Sequence, residues 1–195
     1  MHQLLKQNLF FIKEQVGIFK ASNNFDIYDP NKNELIMNCR EDNLGFFTKM
    51  LRFTDYKRMT PFEVEIKTTS GEKILTVKRG VSIFLSTVQV LDENNNLIGK
   101  FKQKFFSLGG KFDILDTNDN IVCTLQGKWT SWNFKFIRGE SVLAEVSKKW
   151  AGIGKELFTT ADNYMLSIDE SVKKDDNVRL LILAAVMCID MVLKE

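Results

Sequence analysis

The last stretch of the chain constrains the fold more than any other. Val178 to Leu193 reads Val-Arg-Leu-Leu-Ile-Leu-Ala-Ala-Val-Met-Cys-Ile-Asp-Met-Val-Leu, with no charged side chain, amide or hydroxyl from Leu180 to Ile189. A helix lying on a protein surface keeps one polar face, whereas a helix apolar all round is buried all round. Spanning a bilayer takes about 18 or more apolar residues, and shorter runs are more often core helices. Arg179 and Asp190 bracket this run, and Lys194 and Glu195 follow it. The pattern predicts a buried helix over about residues 176–194, so the rest of the chain has to surround it.

What precedes the helix reads as hairpins. Phe25 to Tyr28 alternates apolar and polar, Asp29-Pro30-Asn31-Lys32-Asn33 is a turn cluster, and Leu35 to Met37 returns. The same grammar of alternation, turn residues and return recurs around Ser70-Gly71, Asp92 to Asn96, Asp116 to Asn120 and Arg138-Gly139. Leu9–Ile12 and Val16–Phe19 read as two opening strands, which brings the expected total to about twelve. Glu41 to Thr60 breaks the pattern: Leu44, Phe47 and Leu51 fall at helical spacing, so a short helix or an irregular crossover is expected.

Serial hairpins favour an up-and-down antiparallel sheet, and closure removes its exposed edges. Strands about 4.8 Å apart and tilted about 40° make an eight-strand barrel roughly 16 Å across its backbone and a twelve-strand barrel roughly 24 Å. Once the wall side chains are subtracted, the lumen is roughly 6 Å in the first and roughly 14 Å in the second. A helix with side chains is about 10–12 Å wide and fits only the larger barrel. The expectation is therefore mainly β: one domain over residues 1–195, a closed barrel of about twelve antiparallel strands around the C-terminal helix.

Composition limits the chemistry. The only histidine among 195 residues is His2, and Cys39, Cys123 and Cys188 are far apart with no CxxC pair. A Ser-His-Asp triad, a Cys-His pair and the usual zinc sites are thereby excluded, as is a disulfide framework. Gly152-Ile153-Gly154-Lys155 has Lys149 and Glu156 where a phosphate-binding loop needs Gly and Ser or Thr. No enzyme activity is expected. The net charge of +2 is too mild to argue for nucleic acid. Odd, scattered cysteines fit a reducing compartment, and the first eleven residues lack the pattern of a secretory signal. A cytoplasmic protein is expected, peripheral to the inner face of a membrane if it meets one.

Two patterns invite a ligand. Asp92-x-Asn94-x-Asn96 and Asp116-x-Asn118-x-Asn120 open like calcium loops. Leu97 and Ile121 then stand where such a loop needs Gly, and Gln103 and Gly127 where it needs Glu. Turn chemistry explains the same residues. Lys100, Lys102 and Lys104 alternate with Phe101, Gln103 and Phe105. In a strand the three ammonium groups share one face, which suits anionic phospholipid headgroups. The plainer reading is a solvated face that discourages strand aggregation.

Lys148-Lys149-Trp150-Ala151-Gly152, Lys155-Glu156-Leu157-Phe158-Thr159-Thr160-Ala161-Asp162-Asn163-Tyr164, Ile98-Gly99-Lys100-Phe101 and the terminal Cys188-Ile189-Asp190 resemble the phospholipid scramblases and the related LURP-one proteins. The resemblance covers most of the chain and is strongest from Pro61 onward. It implies the fold of tubby C-terminal domains, a twelve-stranded barrel around a C-terminal hydrophobic helix. It implies a role at phospholipid membranes or with a partner protein, and as an alternative the movement of lipids between leaflets, calcium-dependent in some members. The family's acidic calcium segment corresponds to Thr160 through Asp162 to Asp169 and Glu170. Asp162 and Asp169 are then the candidate ligands, and Thr160 stands where the family's first acidic position falls. Fewer ligand charges weaken calcium affinity.

Overall fold

The computed structural model describes residues 2–15, 24–42, 45–51, 54, 60–81, 87–103, 111–128, 133–148 and 163–193. Within them are twelve strands: β1 Leu9–Glu14, β2 Phe25–Asp29, β3 Glu34–Arg40, β4 Phe62–Thr68, β5 Lys73–Arg79, β6 Thr87–Asp92, β7 Leu97–Gln103, β8 Phe112–Leu115, β9 Ile121–Lys128, β10 Asn133–Arg138, β11 Ser141–Ser147 and β12 Asn163–Ile168. A short helix α1, Phe46–Leu51, lies between β3 and β4, and α2, Val178–Leu193, follows β12. Each strand pairs antiparallel with its sequence neighbours, and β1 pairs with β12 to close the barrel.

The five hairpins are built by their turn residues. In the β6–β7 turn Asp92 Oδ1 accepts the N–H groups of Asn94 at 2.9 Å and Asn96 at 2.8 Å, and Oδ2 accepts from the Asn96 amide at 3.1 Å. The β8–β9 turn repeats this with Asp116, Asn118 and Asn120 at 2.8, 2.9 and 3.0 Å. Asn95 and Asp119 take the left-handed conformation, with φ of 64° and 63°, which Asn and Asp tolerate better than most residues. The calcium-like spacing is therefore a turn, with its leading carboxylate occupied by the turn's own donors. Each hairpin shifts register beside its turn, for example between Val90 and Leu91 and between Ile114 and Leu115. Such bulges bend and twist the ribbon, as closure into a barrel demands.

Inward residues of the wall, such as Ile12, Ile27, Val64, Val77, Val90, Ile114 and Phe136, are at most 1% exposed. The helix α2 fills the space they enclose, and every residue from Val178 to Ile189 is buried. It starts on Asp176, whose Oδ1 accepts the Val178 N–H at 2.9 Å, the N-terminal carboxylate that a helix dipole favours. The expected plug is present with bounds two residues inside the expected start and one inside the expected end. No described helix is long and apolar enough to cross a membrane.

The expected second opening strand, Val16–Phe19, lies outside the described residues. The strand β12 is one that the sequence pattern does not signal. It lies within the segment read as acidic and calcium-related, so Asn163 to Ile168 are sheet residues, with Tyr164 2% and Leu166 0% exposed.

Candidate functional site

Antiparallel order gives the barrel two unlike ends. The five tight turns, the N-terminal residues 2–8 and the link from β12 to α2 gather at one, and the opposite strand ends, toward which α2 runs, form the other.

At the turn end, α2 is fastened by Arg179, a cation only 1% exposed. Its Nε donates to Leu5 O at 2.8 Å, its Nη1 to Val172 O at 3.2 Å, and its Nη2 to Asn8 Oδ1 at 3.1 Å and to Gln7 O. No described carboxylate pairs with it; its acceptors are three carbonyls and one amide oxygen. A buried charge costs several kcal/mol unless its donors are satisfied, and the planar guanidinium fork satisfies several at once. Burial moves its pKa down, but the guanidinium starts so high that it stays charged. Arg179 thus ties the start of the plug to the chain that enters β1. Nothing in the sequence signalled this, because three of its four acceptors are backbone carbonyls, one of them 174 positions away.

The wall carries the predicted basic strand. Phe101 is buried while Lys102 is exposed and Lys100 partly so, which is the alternation expected. Lys100 Nζ lies 2.9 Å from Asp119 Oδ1, so the β8–β9 turn already answers its charge. Lys102 faces Asp113 across the β7–β8 pair and Thr87 across β6–β7. Lys104 lies outside the described residues.

The predicted calcium pair is not assembled by the described residues. Asp162 lies outside them, and its neighbour Asn163 is at the other end of β12 from Asp169. At about 3.3 Å per residue, six residues of strand separate them by roughly 20 Å. Asp169 is exposed, and its Oδ1 accepts the Ser171 N–H at 2.9 Å. The Ser171 hydroxyl and N–H hold its carboxyl below the ordinary value. Among the described residues no three His, Cys, Asp or Glu side chains converge on a cation position.

At the far end, β5 and α1 border a cleft of about 510 Å³ whose lining includes Glu41, Thr48, Phe62, Glu63, Lys78 and Arg79. Arg79 lies 4.8 Å over the Phe62 ring and donates to Thr60 O at 2.7 Å. The cleft places cations and carboxylates side by side, a surface for a polar ligand or a headgroup region rather than for an acyl chain.

Comparison with known proteins agrees with this architecture. The chain is similar to Altered inheritance rate of mitochondria protein 25 of Saccharomyces cerevisiae, 20% identical over 200 positions that cover 90% of this chain. The chain matches 60% of that protein's length. Its fold is similar to the X-ray structure of an Arabidopsis thaliana protein, at a TM-score of 0.52 and 14% identity, over 93% of this chain and 92% of the other. The model of the Scramblase family matches residues 4–195; the chain belongs to the scramblase family.

Proposed function

We propose that this barrel is a non-catalytic lipid-engaging protein that meets anionic phospholipid headgroups from its outside, at the cytoplasmic face of a membrane. The observation that carries this reading is the complete burial of α2 from Val178 to Ile189. A lumen filled by a helix has no room for a lipid chain, so lipid meets the exterior, where Lys102 is exposed and Lys100 half-buried. Family membership supports a lipid-related role. The alternative, in which α2 leaves the barrel and carries lipids between leaflets, strips the wall of its partner. Each buried Leu or Ile returned to water costs about 1.5–3 kcal/mol, and Arg179 would leave its four acceptors. Calcium has no step in this reading.

The test is cosedimentation of detergent-free protein with phosphatidylcholine vesicles, with and without phosphatidylserine, at low and physiological salt. Binding confined to the acidic vesicles and weakened by salt is expected. Protein that ignores acidic vesicles at low salt would overturn the lipid reading and make a protein partner the explanation for the exposed lysines.

A further inference from the structure

The two ends of the barrel differ in charge and in apolarity, and the difference has a direction. The turn end comprises residues 2–8, 29–34, 68–73, 92–97, 116–121, 138–141 and 169–177. These segments contain twelve Asp and Glu against six Lys and Arg, and no Phe, Tyr or Trp. They carry a net charge of −6, so in a chain of net charge +2 the remainder carries +8.

The opposite end has the contrary character. Four large apolar side chains among the described residues are strongly exposed: Met50 at 55%, Leu51 at 45%, Val81 at 72% and Ile121 at 60%. Three of the four are at the far end. Met50 and Leu51 end α1 and Val81 follows β5; Thr48 of α1 and Gly80, the residue before Val81, both border the cleft. Lys102 and Lys111 are exposed and Lys78 half-buried at strand ends on this side, and half-buried Lys148 holds its Nζ 5.7 Å over the Tyr164 ring. Against them, Asp113 faces Lys102 across β7–β8, Glu14 ends β1, Glu63 is exposed, Glu41 is buried, and Asp42 lies 3.5 Å from Lys67.

An acidic bilayer attracts the positive end of such a dipole and repels the negative one. Exposed apolar side chains on the same end as exposed cations are what a headgroup layer can receive, because the aliphatic tips enter the acyl boundary while the ammonium groups remain with the phosphates. We infer that the barrel docks end-on, with its axis across the membrane surface normal to the lipid plane, Met50, Leu51 and Val81 entering an anionic bilayer and the carboxylate-rich turns facing away. The inference rests on the lipid reading above and names the surface that reading uses.

The native cysteines make the test clean. Cys39, Cys123 and Cys188 are buried and unpaired; burial pushes the thiols of Cys39 and Cys188 up and that of Cys123 up to about 12. A cysteine introduced at the surface is therefore the reactive one. Full-length Val81→Cys and Thr117→Cys proteins, each carrying an environment-sensitive dye, are mixed with vesicles about one-third phosphatidylserine. The expected result is a blue shift and brightening at position 81 and none at position 117. Met50→Ser, Leu51→Ser and Val81→Ser combined are expected to weaken vesicle binding by at least about tenfold with a melting temperature lowered only slightly, since about half or more of each side chain is already in water. If the protein cosediments with acidic vesicles but the dye responds at position 117, or at neither position, or the triple variant binds as wild type, end-on docking is wrong while the lipid reading stands. If wild type ignores acidic vesicles, both fall.

Discussion

Leu181 of α2 occupies the space that a side chain at Gly99 of β7 would need. A Cβ at Gly99 would stand 2.7 Å from Leu181 Cδ2 and 2.5 Å from Leu115 O. The plug and the wall therefore touch, with no room for an added atom. Gly99→Ala is expected to destabilise the protein by about 1–3 kcal/mol, the range of overpacked cores. Leu181→Ala, which opens a cavity, should cost about 2–5 kcal/mol. In the Leu181→Ala background the cost of Gly99→Ala should fall but not vanish, because the Leu115 carbonyl remains. Denaturant unfolding of the four proteins measures this coupling, and strict additivity would mean that the two residues do not share the space.

The helix bound at that contact is also the core of the barrel. Deleting residues 178–195 removes the surface against which the inward side chains pack, and a wall of twelve strands encloses a lumen wider than side chains alone can fill. The truncated protein is expected to lose cooperative unfolding. A monomeric truncation with a sharp thermal transition would contradict the plugged-barrel account.

Arg179 offers a more local probe. Replacing it with Met keeps much of its length and leaves the carbonyls of Leu5, Gln7 and Val172 without this donor. Charged hydrogen bonds are worth about 1.5–3 kcal/mol each, but they are not additive and part of the desolvation cost disappears with the charge. A net loss of about 3 kcal/mol is expected, a fall in Tm of roughly 6–12 °C for a chain of this size. Asn8→Ala should cost less, about 1 kcal/mol. Hydrogen exchange should show β1 loosened in both variants, because the arginine fastens the segment that enters it.

How far these features were legible varies with their physical origin. The helix declared itself through an unbroken apolar run, and the hairpins through alternation and Asp-Asn turns. Together those two signals were enough to require a barrel of about the right size. The strand β12 was not legible because it lacks alternation. Its burial is nearly continuous, with Met165 buried although it faces away from the core cluster. A short two-sided apolar strand beside an acidic stretch reads as part of that stretch. The role of Arg179 was hidden because backbone carbonyls accept its donors, and no residue type marks a carbonyl. Lys100 and Lys102 were placed correctly on the outer face, but the Asp119 partner of Lys100 comes from a turn 19 residues away.

The repeated turns should give the protein an acid-sensitive component. The Asn120 side-chain amide, and then the N–H groups of Asn120 and Asn118, hold the Asp116 carboxyl below its ordinary value. A carboxyl depressed in the folded state contributes stability above its unfolded pKa, near 3.9, and loses it as pH falls through the depressed folded value. Asp116→Asn lacks that contribution at every pH. The gap in Tm between wild type and Asp116→Asn should be largest above about pH 5 and should narrow as pH falls below about 4. A gap that stays constant through this window would show that the carboxylate charge plays no part in the turn.

The basic strand allows the last prediction to be made residue by residue. Three lysines contributing about 1 kcal/mol each near an acidic leaflet would weaken binding on the order of a hundredfold when all become Gln. The Asp119 carboxylate at 2.9 Å offsets the charge of Lys100, and that pair lies toward the acidic turn end of β7. Lys102 is exposed and nearer the end that carries Met50 and Val81, and Lys104 follows it in sequence. Lys102→Gln with Lys104→Gln should therefore account for most of the effect, on the order of thirtyfold, and Lys100→Gln alone for little. The loss should shrink as added salt shortens the Debye length. Stability should change by no more than about 0.5 kcal/mol at these surface positions. Vesicle cosedimentation across a salt series measures both, and a Lys100→Gln variant as defective as the Lys102/Lys104 pair would place the contact on the middle of the wall.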